Sequence, residues 1–192
     1  SPELKVKDGW MVATREEPPA IYLTEDDLTR LYDLDLSENA RLCRVRDLFL
    51  IGCYTGLRFS DFTELTPGNF KKSDGGKSYI EMFTRKTRVK VSIPVKSELL
   101  AILNKYDFQP PKAISNQNFN DYLKEVGKLA GLEEPTMLTR IRNGKRIDQT
   151  FPKYELMTTH TARRSVATNA YKAKVPVKYV MSVTGHTTER EF

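Results

Sequence analysis

An α+β domain, mainly α-helical with a small antiparallel β-sheet, is what this sequence predicts, and three observations carry that expectation. Apolar residues recur at helical spacing over 42–53 and again over 99–106. Two short runs, Tyr79-Ile80-Glu81-Met82-Phe83 and Val89-Lys90-Val91-Ser92-Ile93, alternate with a period of two. Asn143-Gly144, flanked by Ile141 and Ile147, is the strongest short hairpin signal in the chain. At 192 residues, 39% hydrophobic and 29% charged, the chain suits one medium domain with a real core rather than a disordered segment.

The elements follow in order. Residues 1–22, with Glu17-Pro18-Pro19, suit an extended lead-in or linker ahead of a domain over 23–192. Thr24 can cap a helix whose first turn holds Glu25, Asp26 and Asp27 at the positive end of its dipole, with Leu28, Leu31 and Tyr32 on its apolar side. A second helix over Ala40–Tyr54 carries Leu42, Val45, Leu48, Phe49 and Cys53, becomes almost wholly apolar, and stops at Thr55-Gly56. Ser60 or Asp61 starts a short helix through Leu65, and Pro67-Gly68-Asn69 is a turn. The two alternating runs, joined by Arg85-Lys86-Thr87-Arg88, make a hairpin. Ser97 caps a helix bearing Leu99, Leu100, Ile102, Leu103 and Tyr106, which ends before Pro110-Pro111. Another helix spans about Phe119–Ala130 and stops at Gly131. After the Asn-Gly hairpin come helices over His160–Lys172 and Val177–Thr184, broken by Pro176 and ended by Gly185-His186.

Charge is unevenly spread. The net of +6 is compatible with many partners, but residues 1–70 hold 8 Lys and Arg against 13 Asp and Glu, whereas 136–192 hold 11 against 4. A surface facing a polyanion would therefore be built from the second half, although a merely solvated basic face has the same composition. Cys43 and Cys53 lie among apolar neighbours and read as small core residues of a reducing cytoplasm, not as a disulfide or metal pair. No stretch has the length of a membrane span, and Ser1-Pro2-Glu3-Leu4-Lys5 lacks a secretory pattern, so no membrane partner is expected.

Few residues offer chemistry. The two histidines, His160 and His186, both fall at helix boundaries in the basic final third, and His160 shares a helix face with Arg163. A histidine standing alone is more often a satisfied structural residue than a catalyst. Arg58 follows an apolar helix and must find an anion, because it cannot shed its charge. Asp61 is its nearest carboxylate: the two form a structural pair, or Asp61 orients the guanidinium toward a phosphate. Lys86 sits at a hairpin tip, which is an ordinary polar turn and also a way to deliver one ammonium to a leaving group. Nothing resembles a phosphate-binding glycine loop or a carboxylate cluster for Mg²⁺, so no metal and no cofactor is expected.

Taken in order, Thr55-Gly56-Leu57-Arg58-x-Ser60-Asp61, the hairpin lysine, His160-x-x-Arg163 and Gly185-His186 resemble the Arg, Lys, His-x-x-Arg, His set of the tyrosine recombinases, over roughly 24–192. The text from Thr158 to Thr168 and the Asn-Gly hairpin are similar to integrases of conjugative transposons and related phages. The resemblance implies a catalytic domain that cuts and rejoins double-stranded DNA through a 3′-phosphotyrosine. Arg58 and Arg163 would hold the non-bridging phosphate oxygens and Lys86 would protonate the leaving 5′-oxygen. His160 would assist proton removal from the nucleophile, His186 would bond the phosphate, and Asp61 would steady the site from behind. Under a slip of register, Lys90, Arg85 or Arg88 competes for the part of Lys86. Arg85, Arg88, Arg140, Arg142, Lys145 and Arg146 are expected to face DNA. The resemblance also implies tetramers on DNA, DNA-bending accessory proteins and work on a bacterial nucleoid in the cytoplasm.

The nucleophilic tyrosine is expected about nine residues beyond the last histidine. The chain ends six residues beyond His186, and none of its nine tyrosines follows that residue; the nearest, Tyr171 and Tyr179, precede it on helices expected to face the core. The expectation is a piece of a longer enzyme, itself inactive for cleavage. Two rivals remain at this point: a type IB topoisomerase-like enzyme that relaxes DNA, and a non-catalytic DNA-binding module of the same fold.

Overall fold

The computed structural model describes residues 21–142 and 145–184, with the side chains of 140–142 and 145 outside the description. Within these bounds the chain forms seven α-helices and five strands. They are α1 (Glu25–Asp33), α2 (Ala40–Thr55), α3 (Phe59–Phe62), β1 (Phe70–Lys72), β2 (Ser78–Phe83), β3 (Lys90–Pro94), α4 (Ser97–Lys105), α5 (Asn116–Leu129), β4 (Pro135–Arg142), β5 (Lys145–Pro152), α6 (Thr159–Lys172) and α7 (Val177–Thr184). Single 3₁₀ turns at Pro67–Asn69 and Lys153–Leu156 link them.

Helix α2 is the axis of the domain. Leu48, Phe49, Leu50, Ile51 and Cys53 are all buried, and α1, α3, α4, α5 and α6 pack around it. Burying each large apolar side chain contributes about 1.5–3 kcal/mol, so this run stabilises α2 far more than helix propensity does. Gly52 lets α3 close on α2: a Cβ there would lie 2.7 Å from Phe62 Cε1. Phe62 in turn stacks edge-on against Phe59 at 5.5 Å between ring centres.

The first sheet is antiparallel in the order β1-β2-β3, with Phe70 opposite Ile80 and Ile80 opposite Ile93. Its buried face is Ile80, Val91 and Ile93, and α7 packs on β3. The expected hairpin is present, but as part of a three-stranded sheet. The second sheet is the β4–β5 ribbon, eight residues a side, with Arg142 opposite Lys145; Asn143-Gly144 lies outside the described residues. It leaves Met137 and Ile147 exposed and meets the body at the 153–156 turn.

Several local expectations need correction. Helix α3 starts at Phe59 and ends at Phe62, because Arg58 rather than Ser60 or Asp61 takes the N-cap position. Ser97 is the first residue of α4, not its cap; its hydroxyl donates to the Glu98 carboxylate at 2.9 Å. Helix α5 begins three residues early, at Asn116, capped by the Ser115 hydroxyl. Cys53 is buried as expected, but Cys43 is only half-buried, and its sulfur lies 3.0 Å from Lys105 Nζ beside the buried Asp47. Tyr171 and Tyr179 face outward, 64% and 53% exposed, because the core-facing stripe of these helices runs through Ala162, Ser165, Val180 and Val183. Residues 21–23 already join the body: Ile21 and Leu23 are buried, and the Leu23 N–H donates to Ser165 Oγ at 2.8 Å.

Candidate active site

The end of α2 delivers the first arginine. Gly56 takes the left-handed conformation (φ 68°), and its N–H closes the helix on Gly52 O. An L side chain there is strained, and a Cβ would stand 3.0 Å from Thr184 Cγ2. Thr55 Oγ1 donates to Ile51 O at 2.8 Å and accepts from the Leu57 N–H at 3.3 Å, while Leu57 is wholly buried. The chain is thus fixed just before Arg58. Arg58 is half-buried, and its Nη1 is buried without a hydrogen-bond partner. Neither local reading of Asp61 holds, since no ion pair joins it to Arg58. Asp61 Oδ1 instead accepts the Arg85 N–H at 2.9 Å, and Oδ2 is buried with no partner. The carboxylate therefore ties α3 to the β2–β3 turn rather than to the guanidinium.

That turn carries Lys86. Thr84 Oγ1 and Thr87 Oγ1 lie 2.7 Å apart across it, the Arg88 N–H bonds Thr84 O, and Arg88 has φ 55°. Two neighbouring cations are engaged elsewhere: Arg85 pairs with Glu64, and Lys90 of β3 with Glu81 at 3.1 Å. Lys86 is exposed and close enough for its charge to be felt at His160.

Helix α6 supplies His160 and, one turn on, Arg163. Arg163 is buried at 9% exposure, and its Nη1 donates to Gly56 O at 3.1 Å and to Thr184 O. One guanidinium thereby joins the residue that precedes Leu57-Arg58 to the residue that precedes Gly185-His186. His160 keeps much of its surface in solvent, yet its pKa lies below the usual imidazole value. Partial burial is the largest cause, followed by the positive charges of Arg164, Arg163, Arg58 and Lys86. The ring is therefore neutral at pH 7 and able to accept a proton.

Arg58, Ser60, Asn116, Thr159, His160 and Arg163 line one open cleft of about 270 Å³. Among the described residues no carboxylate lines it, so cations gather there without a protein counter-charge. An apolar groove of the same size, walled by Cys53, Ile93, Val166, Ala170 and Val180, has no comparable cluster.

Of the residues picked from sequence, the structure brings Arg58, His160 and Arg163 together, with Lys86 nearby and Asp61 behind its turn. His186 and the side chains of Arg140, Arg142 and Lys145 fall outside the described residues. Arg146 is on the exposed ribbon, paired with Asp148 at 3.0 Å. Sequence reasoning missed Asn116 and Asn120. Their side-chain oxygens accept from Thr159 Oγ1 at 3.2 Å and from the Thr159 N–H at 2.9 Å. The available signal was their spacing of four, just after the serine cap.

No curated protein sequence matches the chain. Solved structures that share its fold include the following three. An XerH site-specific recombinase bound to palindromic difH substrate has 18% identity and TM-score 0.62, over 90% of this chain and 48% of that one. A lambda integrase tetramer bound to a Holliday junction has 21% identity and TM-score 0.61, over 94% and 51%. The Tn1549 transposon integrase with circular intermediate DNA has 15% identity and TM-score 0.56, over 91% and 60%. The chain thus spans about half the length of XerH and of the lambda integrase. Residues 22–191 match the model of the phage integrase family across nearly the whole described domain. The chain therefore belongs to the phage integrase family and has the catalytic-domain fold of the tyrosine recombinases.

Proposed function

We propose that the chain is the catalytic domain of an integrase that moves a mobile element by cutting and rejoining double-stranded DNA. The observation that carries this reading is the cleft itself: Arg58 with an unpartnered buried Nη1, beside His160 and Arg163, with no carboxylate on its walls among the described residues. Such a cluster suits a dianionic, pentacoordinate phosphorane-like transition state, whose added charge falls on the non-bridging oxygens.

In this reading a tyrosine oxygen attacks phosphorus and passes its proton to the neutral His160. The bond to the 5′-oxygen breaks, and Lys86 protonates that oxygen as it leaves. The product is a 3′-phosphotyrosyl ester and a free 5′-hydroxyl; attack by a 5′-hydroxyl reverses the step and joins strands. The phosphoester bond is exchanged rather than hydrolysed, so the balance needs neither ATP nor a metal. Arg58 and Arg163 hold the phosphate, His186 adds a hydrogen bond, and Asp61 holds the Lys86 turn. Arg85, Arg88, Arg140, Arg142, Lys145 and Arg146 contact DNA beyond the cleft. No tyrosine follows His186 in these residues, so the reading places the nucleophile past Phe192 in the parent chain. Assembly as a tetramer on DNA, with bending proteins, in a bacterial cytoplasm, belongs to the same proposal; the similar lambda integrase structure is a tetramer on a junction.

The test uses the parent chain and DNA spanning the joined ends of its element. A covalent protein–DNA complex should form in the presence of a chelator, and Arg58→Ala or Arg163→Ala should reduce it on the order of a hundredfold or more. Undiminished complex in Arg58→Ala overturns the assignment. Relaxation of supercoils without exchange between sites favours the topoisomerase rival.

A further inference from the structure

We infer that Asn116 and Asn120 are positioning residues that set where His160 stands in the cleft. The inference deepens the reading above and rests on it for its functional meaning, but its structural content stands alone.

The first turn of any helix leaves backbone N–H groups without partners, and the ordinary remedy is a local cap. Helix α6 has one: the Thr158 N–H donates to Thr161 Oγ1 at 3.0 Å, within a reciprocal Thr158–Thr161 box. The Thr159 N–H is not served by that box. It donates across the domain to Asn120 Oδ1 at 2.9 Å, and Thr159 Oγ1 donates to Asn116 Oδ1 at 3.2 Å. Residues four apart share a face of α5, so two side-chain carbonyls grip the residue immediately before His160. Thr159 is buried at 5% exposure, where an unmet donor is costly.

The body of α6 is held by other means. Ser165 accepts from the Leu23 N–H, Asn169 donates to Leu23 O at 3.0 Å, and Arg163 bonds Gly56 O. Losing the asparagine grip should therefore loosen the first turn and leave the rest of the helix in place. That turn carries His160, whose pKa is held below the usual imidazole value first by partial burial and then by the charges of Arg164, Arg163, Arg58 and Lys86.

The test is NMR on the 192-residue chain, which has two histidines, so His186 serves as the internal reference. In Asn120→Leu the Thr159 amide should exchange about fivefold faster or more, the factor for one hydrogen bond. The His160 pKa should rise toward 6.5 while the His186 pKa stays put. Asn120→Asp retains an acceptor and should restore Thr159 protection. Affinity for duplex DNA should fall in Asn120→Leu. Unchanged Thr159 exchange and an unchanged His160 pKa in Asn120→Leu overturn the inference. If that variant does not fold, Asn116→Ala removes only the hydroxyl's acceptor, and a His160 pKa unmoved in it counts equally against. The exchange and titration are read without DNA, so failure of the wild-type chain to bind DNA would sink the integrase reading and leave this one intact.

Discussion

The two arginines of the cleft should respond in opposite ways to the same substitution. Arg163→Met keeps the side chain's bulk and removes a buried guanidinium bonded to Gly56 O and Thr184 O. A hydrogen bond to a charged group contributes about 1.5–3 kcal/mol, and part of the volume is retained, so the loss should be about 2–4 kcal/mol. For a domain of this size that lowers Tm by roughly 5–15 °C. Arg58→Met removes a guanidinium whose Nη1 is buried and unpartnered and whose charge adds to a cluster of cations. Its removal relieves desolvation and like-charge repulsion, so Tm should stay level or rise by a few degrees. Both variants should lose DNA affinity. Thermal unfolding followed by circular dichroism, paired with binding to labelled duplex, separates the two responses. An Arg58→Met variant as destabilised as Arg163→Met would refute the reasoning, because Arg58 would then be a structural residue with its partners already in place.

Three further outcomes follow from the geometry. The folded-state pKa of His160 lies below its unfolded value, so its contribution to stability is full above about pH 6.5 and is lost as pH falls through the folded value. Urea midpoints at pH 7.5 and pH 5 should therefore fall further in the wild type than in His160→Gln; an equal fall contradicts the assignment. Gly→Ala inside a helix ordinarily stabilises by roughly 0.5–1 kcal/mol. Gly52→Ala should instead destabilise by about 1–3 kcal/mol, because its Cβ would sit 2.7 Å from the Phe62 ring, and a raised Tm would show that α3 moves aside freely. Asp61→Ala should speed amide exchange at Arg85, whose N–H would lose its acceptor, and weaken DNA binding through Lys86 without touching Arg58; unaltered Arg85 exchange contradicts that link.

Much of this was legible because the strongest signals are local. The apolar run of α2, the Thr24 cap and the Pro176 break all act within a turn or two of chain, and each element stands where those signals put it. Strand β1 was not legible: three residues, Phe70–Lys72, show no alternation, and only pairing with β2 makes them a strand. The start of α5 was obscured by polar Asn116-Gln117-Asn118, whose value lies in cap geometry and in Thr159 on another helix. The same limit governs the site. Arg58, His160 and Arg163 could be picked by type and order, whereas the Asp61 bond to the Arg85 amide and the Arg163 bond to Gly56 O join distant stretches of chain. Tyr171 and Tyr179 were misjudged because α6 and α7 present only one side to the core.

The claim at the centre is that Arg58 meets a DNA phosphate, and the salt dependence of duplex binding tests it most directly. Arg44→Met serves as the reference, since Arg44 lies roughly 18 Å along α2 from Gly56 by helical rise. Each phosphate neutralised steepens the plot of log affinity against log salt by about 0.9. The slope should fall by about that amount in Arg58→Met and stay at the wild-type value in Arg44→Met. Parallel lines for wild type and Arg58→Met would contradict the account.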